Sequence, residues 1–271
     1  MLHPNATRER TWTPARPVPA LGDDEVQVWR LRVDLEGGTR AVAESIAEAV
    51  TADEYARAAR FRQEADRQRS LCGRLLLRTF LGHHLGIAPR EVTFVNGEFG
   101  KPEVERRASG GGGVGPGAGT SVLRFNLAHS GEWLLFALAR DRELGVDVEQ
   151  HRTMSDAIQI ARRFFAPPEV ADLEALDPTL HHDTFFRVWT RKEAIVKATG
   201  QGISAGLERF AVSSDASDLV TLRGLDGDPA WDRWTIRGLD MPPNYTAAVA
   251  YDRREADGEA VRLTRYEWTP W

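Results

Sequence analysis

The chain has 271 residues, 42% of them hydrophobic, with a formal net charge of −5 and one cysteine, Cys72. That length suits one large domain or two lobes of roughly 100–150 residues, and the acidic balance supplies no basic field for nucleic acid. One cysteine closes no internal disulfide and builds no thiolate cage, and no apolar run approaches the ~18 residues of a membrane span, so a cytoplasmic protein without nucleic-acid or membrane partners is expected.

Residues 1–23 are proline-rich without apolar periodicity and read as a loosely ordered leader. Val26–Val33 alternates like a half-buried strand. Thr51 and Glu54 make a capping box, and Tyr55, Ala58, Ala59 and Phe61 begin a helical pattern that continues in pieces through Leu71, Leu75, Leu76 and Phe80 to a break at Gly82–Gly86. Arginines crowd this stretch from Arg57 to Arg78, as on a solvated face with snorkelling stems. Residues 109–121 are a glycine-rich run without the Gly-Lys-Ser/Thr ending of a phosphate loop, and read as a flexible surface insertion. Val122–Leu127 and Trp133–Ala139 flank a turn at His129–Glu132, the pattern of a hairpin.

A polar break at Asp141–Arg142 divides the chain into a first lobe, 24–141, and a second, 142–271. The second opens with the strand Leu144–Val148. A helix around Met154–Phe164, a turn at Pro167–Pro168 and a helix from Thr184 to Ala198 stopped by Gly200 follow. Short strands near Phe210–Ser213, Val220–Leu222, Trp234–Ile236 and Tyr245–Ala250 complete it. This mixture of hairpins and helices predicts an α+β or two-lobed α/β fold. His83–His84 and His181–His182 fall at polar helix ends with no carboxylate or cysteine at metal spacing, and are expected on the surface.

In Gly145-Val146-Asp147-Val148-Glu149, strand parity puts both valines on one face and both carboxylates on the other. In the helix, Trp189, Glu193 and Lys197 form an i, i+4, i+8 stripe. Three carboxylates without cysteine or converging histidines favour a hard cation such as Mg²⁺, and a neighbouring lysine matches a phosphate oxygen. Of 35 basic residues only Lys101, Lys192 and Lys197 are lysines, which marks them as candidates where a compact ammonium is needed. The pattern points to phosphoryl chemistry on a pyrophosphate substrate. A non-catalytic nucleotide- or carrier-binding module is the rival class, and a kinase or P-loop enzyme lacks its motifs here.

GVDVE and FFRVWTRKEAIVKATGQG together resemble the two signature motifs of the Sfp-type 4′-phosphopantetheinyl transferases. RFRQEADRQRSLCGRLLLR, Gly100-Lys101-Pro102 and Phe125-Asn126-Leu127-Ala128-His129-Ser130-Gly131 resemble further segments of that family, in the same order. The resemblance implies two pseudo-symmetric lobes with the active site in the cleft between them. It also implies transfer of phosphopantetheine from coenzyme A to a serine of an acyl or peptidyl carrier protein by a monomer. By the same resemblance Asp147, Glu149 and Glu193 bind Mg²⁺; in the reaction so implied the serine must lose its proton to a carboxylate, Glu193 or Glu149, or to a metal-bound water. Lys197 contacts the pyrophosphate, Lys101 and His129 the adenosine 3′-phosphate, and Ser70 and Arg57 make further coenzyme A contacts. Ala128 replaces the family's usual serine, which implies weaker discrimination of the 3′-phosphate. Phe164–Pro168 is implied to meet the carrier helix, provided that it forms an apolar patch.

Overall fold

A computed structural model describes residues 12–33, 40–97, 100–105, 121–202, 206–253 and 261–268. After β1 (Thr13–Pro14), two segments follow one plan. In the first, β2 (Glu25–Arg32) leads to two short helices, α1 (Arg40–Ala49) and α2 (Ala52–Ala58), and then to the 22-residue α3 (Glu64–Leu85). A ribbon of β3 (Phe94–Asn96) and β4 (Pro102–Val104) and a hairpin of β5 (Leu123–Ser130) and β6 (Trp133–Arg140) complete it. In the second, β7 (Leu144–Gln150) leads to α4 (Ala157–Phe164), α5 (Pro167–Ala175) and the 22-residue α6 (Pro178–Thr199). Next come β8 (Phe210–Val212), β9 (Leu219–Val220) and β10 (Leu222–Gly224), with β8 and β10 as the ribbon, and then the hairpin β11 (Trp234–Leu239) and β12 (Tyr245–Asp252). Both long helices stop on a left-handed glycine, Gly86 at φ 67° and Gly200 at φ 73°, where a Cβ would be strained.

The first sheet has the order β1-β13-β2-β6-β5, β13 being Arg262–Glu267, and the second has β7-β12-β11-β9. The two sheets are the middle of a four-layer stack. β6 is apolar at successive positions because both its faces are covered: Leu134, Phe136 and Leu138 pack with Leu75, Leu76 and Phe80 of α3. Leu135, Ala137 and Ala139 meet Val146, Val148 and Val249 of the second sheet. Ala248 and Ala250 of β12 then pack on α6 through Ala194 and Ile195. Among the described residues no helix is long and apolar enough to cross a membrane.

Several expectations change here. Residues 12–23 are anchored at points rather than loose throughout: Trp12 and Leu21 are buried, and β1 pairs in parallel with β13. Residues 1–11 of the leader, and all of the glycine-rich run except Ser121, lie outside the described residues. β13 pairs with β2, so the last strand belongs to the first sheet and not to the second lobe. Pro167–Pro168 is no turn; the pair opens α5, where a preset φ and a missing N–H are harmless. Arg78 is no solvated side chain either. It is 5% exposed, pairs with Glu54 at 2.7 Å and donates to the carbonyls of Pro89, Arg90 and Val92. Glu54 also closes the capping box with Thr51.

Candidate active site

With Val146 and Val148 turned toward the first sheet, β7 presents Gly145, Asp147 and Glu149 to α6. Glycine is needed at 145 because a Cβ there would run into the α6 backbone at Ala194 and Ala198. This close approach brings the strand carboxylates to the helix stripe. Lys197 Nζ donates to Asp147 Oδ1 at 2.5 Å, and Glu193 lies one turn earlier on the same side of α6.

The carboxylates form a strained electrostatic group. Asp147 is 4% exposed, and its Oδ2, like Oε1 of Glu193, is buried without a hydrogen-bond partner. Burial pushes the Asp147 carboxyl up to about 7, with Glu149 and Glu193 adding to the rise and Lys197 opposing it. Burial also raises Glu193, against the pull of Lys197 and with the help of Glu149. Two orphaned buried oxygens beside a third carboxylate, with no nitrogen or sulfur donor, fit a hard divalent cation. Glu149 is held from the other sheet, where Ser130 Oγ donates to its Oε2 at 3.0 Å and accepts the Gln150 amide at 2.9 Å. Asn126 Oδ1 likewise accepts the Val146 amide at 2.9 Å.

A cavity of about 340 Å³ opens between α3 and β5, lined by Arg69, Ser70 and Arg74 on one side and by Pro102, Asn126 and His129 on the other. Burial holds the His129 imidazole below its usual pKa, and the charges of Arg69 and Lys197 push it the same way. Arg69, Ser70 and His129 thus meet in the lining of one cavity. Arg69 is fixed by Asp66 at 2.5 Å and by the Gly131 carbonyl at 3.1 Å.

The other expected residues are placed differently. Arg57 is exposed on α2 and is not among the cavity-lining residues, although its charge is felt by Arg74. Lys101 bridges the lobes: its Nζ donates to the Leu144 carbonyl at 2.9 Å, and at 3.4 Å to Glu143 and to the Ala198 carbonyl. Lys192 is wholly buried, paired with Glu169 at 2.8 Å and donating to the carbonyls of Leu207 and Phe210, so it holds α5 and β8 rather than substrate. Phe165 and Ala166 are buried and the half-buried Phe164 packs on Trp189, so of residues 164–168 only Pro167 and Pro168 are fully exposed. Ala128 lies on the β5 face opposite His129, in the apolar cluster between the sheets, so position 128 does not face the cavity.

Sequence reasoning assigned no role to Ser130, Arg69 or Arg74. Ser130 stood within a quoted motif, and strand parity with Asn126 and Ala128 was the signal that it faces β7. The two arginines carry no such mark, since they share one helix with the structural Arg78, from which Arg74 is one turn away and Arg69 two and a half.

The 4′-phosphopantetheinyl transferase superfamily matches residues 143–250, and the N-terminal region of 4′-phosphopantetheinyl transferases matches residues 39–140. The 4′-phosphopantetheinyl transferase HetI of Nostoc sp. is 36% identical over 242 residues, covering 89% of this chain and 94% of that protein. A 4′-phosphopantetheinyl transferase of Bacillus subtilis is 31% identical over 202 residues, 74% of this chain and 81% of its own. The transferase Sfp of Bacillus subtilis is 28% identical over 209 residues, 77% and 84%. With both halves matched and relatives aligned along most of their length, the chain belongs to the 4′-phosphopantetheinyl transferase superfamily.

Proposed function

We propose that this enzyme transfers the 4′-phosphopantetheine arm of coenzyme A to a serine of an acyl or peptidyl carrier protein, acting as a cytoplasmic monomer. The observation that carries the reading is the buried group of Asp147, Glu193 and Lys197 beside Glu149, together with a cavity lined by Arg69, Ser70 and His129. In this reading Ser70, Arg69 and His129 hold the adenosine phosphate end, and Lys197 swings from Asp147 to the pyrophosphate. Lys101 keeps β4 against α6 and so shapes the same wall. Arg57, exposed beside Arg74, adds charge at the cavity rim.

Asp147, Glu149 and Glu193 would hold Mg²⁺, whose charge offsets that of the pyrophosphate. The carrier serine Oγ bonds to the β-phosphorus, and the bond to the bridging oxygen of the α-phosphate breaks, releasing 3′,5′-ADP. The leaving group departs as a stable anion and needs little acid help. The serine must lose its proton, and Glu193, one of whose carboxylate oxygens is buried without a hydrogen-bond partner, receives it. Ser130 fixes Glu149 so that its charge stays beside Asp147.

Incubation with coenzyme A, Mg²⁺ and an apo carrier protein tests this: the carrier gains the mass of one phosphopantetheine arm. Glu193→Gln lowers kcat steeply and is not rescued by added Mg²⁺, whereas Asp147→Asn is partly rescued. A carrier of unchanged mass with the folded enzyme, or full activity in both variants, sinks the reading.

A further inference from the structure

β7 and α6 meet a second time, beyond the carboxylates. His151, the residue after β7, stacks on Phe186 of α6 with ring centroids 4.9 Å apart and planes at 10°. Its Nδ1 lies 3.2 Å from Asp183 Oδ1, and His182 Nδ1 lies 3.5 Å from the same oxygen. One ligand atom from each of the three residues falls within 4.8 Å of the other two. Donors bound at ~2.0–2.2 Å around a tetrahedral ion are roughly 3.2–3.5 Å apart, so both separations have the length of a tetrahedral edge.

The tautomer of His182 points the same way. Its Nε2 is 2.5 Å from the Arg152 carbonyl, which only an N–H can approach. Nδ1 of the neutral ring then carries a lone pair and faces a carboxylate oxygen, an arrangement that a cation between them relieves. A carbonyl accepting the far N–H is also the usual outer support of a metal-bound histidine. His151 faces the site through Nδ1, and its Nε2 is buried without a hydrogen-bond partner, so this ring lacks the outer support that the Arg152 carbonyl gives His182. The nearby Arg187 guanidinium is drawn off to the Ser214 carbonyl at 2.9 Å. Asp183 is 61% exposed, which leaves one side open to water.

We propose that His151, His182 and Asp183 form a site for a divalent transition metal of the zinc class, which clamps the end of β7 to the first half of α6. Two imidazoles and one carboxylate select such an ion over Mg²⁺, whereas the all-oxygen set around Asp147 selects the reverse. A bound ion there stiffens the same strand and helix that carry the active-site carboxylates.

Untagged, metal-stripped protein in excess Mg²⁺ is titrated with Co²⁺ and then with Zn²⁺. One equivalent of Co²⁺ gives the visible bands of a four-coordinate ion, Zn²⁺ displaces it, and Zn²⁺ raises the melting midpoint. His182→Ala and Asp183→Asn each weaken Zn²⁺ at least tenfold with an unchanged circular dichroism spectrum, while Asp147→Asn keeps the Co²⁺ bands. Zn²⁺ affinity equal in the wild-type and His182→Ala proteins, no binding by the folded wild-type protein, or loss of the bands in Asp147→Asn alone would overturn the proposal.

Discussion

Ser130 at the end of β5 donates its hydroxyl to Glu149 on β7 and accepts the amide of Gln150, so one side chain of the first sheet fixes both a carboxylate and the strand that bears it. Removing the hydroxyl frees the Glu149 carboxylate to rotate and orphans a backbone N–H. Ser130→Ala is expected to lower kcat/KM by up to about tenfold, the equivalent of one hydrogen bond of ~0.5–1.5 kcal/mol. Ser130→Thr, which keeps the hydroxyl, restores most of it. Steady-state transfer assays on the two variants measure the difference, and equal rates would remove Ser130 from the site.

Asp147 makes the metal-free protein sensitive to alkali. Its folded pKa of about 7 lies above that of an unfolded aspartate, about 3.9. The folded state keeps a proton that the unfolded chain has released, so stability falls as pH rises from about 4 through 7, by at most about 4 kcal/mol. In chelator at pH 8, Asp147→Asn is therefore expected to melt above the wild type, and near pH 4 the gain disappears. Mg²⁺ at pH 8 should stabilise the wild type more than the variant. A variant that melts lower than the wild type at pH 8 without metal contradicts the burial argument.

Lys192 sits beside Glu193 in sequence yet acts as a structural bolt. Lys192→Met leaves the Glu169 carboxylate buried without its countercharge, and a loss of about 3–5 kcal/mol of stability is expected from urea unfolding. Replacing both partners with apolar residues recovers part of it. If instead Lys192→Met keeps its stability and loses only turnover, the residue serves the reaction.

Gly145→Ala places a methyl group against the α6 backbone. Either β7 or α6 must move, and Asp147 then separates from Lys197. Overpacking of this kind costs ~1–3 kcal/mol, and here it should lower turnover as well, because the displaced elements carry the carboxylates. A stable and fully active Gly145→Ala protein would show that the close approach is not needed.

Ala128→Ser tests the inward direction of that side chain. A hydroxyl buried in the apolar cluster between the sheets is expected to cost ~1–3 kcal/mol of stability. It leaves the ratio of affinities for coenzyme A and its dephospho form unchanged. A shift of that ratio toward coenzyme A would place residue 128 in the cavity after all.

Much of the local structure was legible. Period-two alternation separated Val146 and Val148 from Asp147 and Glu149, helical spacing aligned Glu193 with Lys197, and the capping box at Thr51 and the stop at Gly200 appear in the structure. What spacing does not encode is which elements meet. Gly145 looked like any strand glycine until α6 lay against it. Arg78 and Arg69 are two and a half turns apart on one helix, yet one is buried by Glu54 and three carbonyls while the other lines the cavity. The pairing of β13 with β2 joins residues more than two hundred positions apart, beyond the reach of any local pattern. His182, read as a helix-end surface residue without a carboxylate partner, lies beside Asp183, and both find His151 only through the same strand–helix contact.

The position of β13 bears on how the chain acquires its shape during synthesis. Inserted between β1 and β2, it is the strand that hides the backbone N–H and C=O groups along one side of β2. Until residue 267 has left the ribosome, β2 is an open edge, free to pair with the wrong partner. The half of the protein made first is thus the half finished last. A nascent chain stalled before β13 keeps that edge unpaired, and a cut at residue 141 separates β13 from the sheet that it completes.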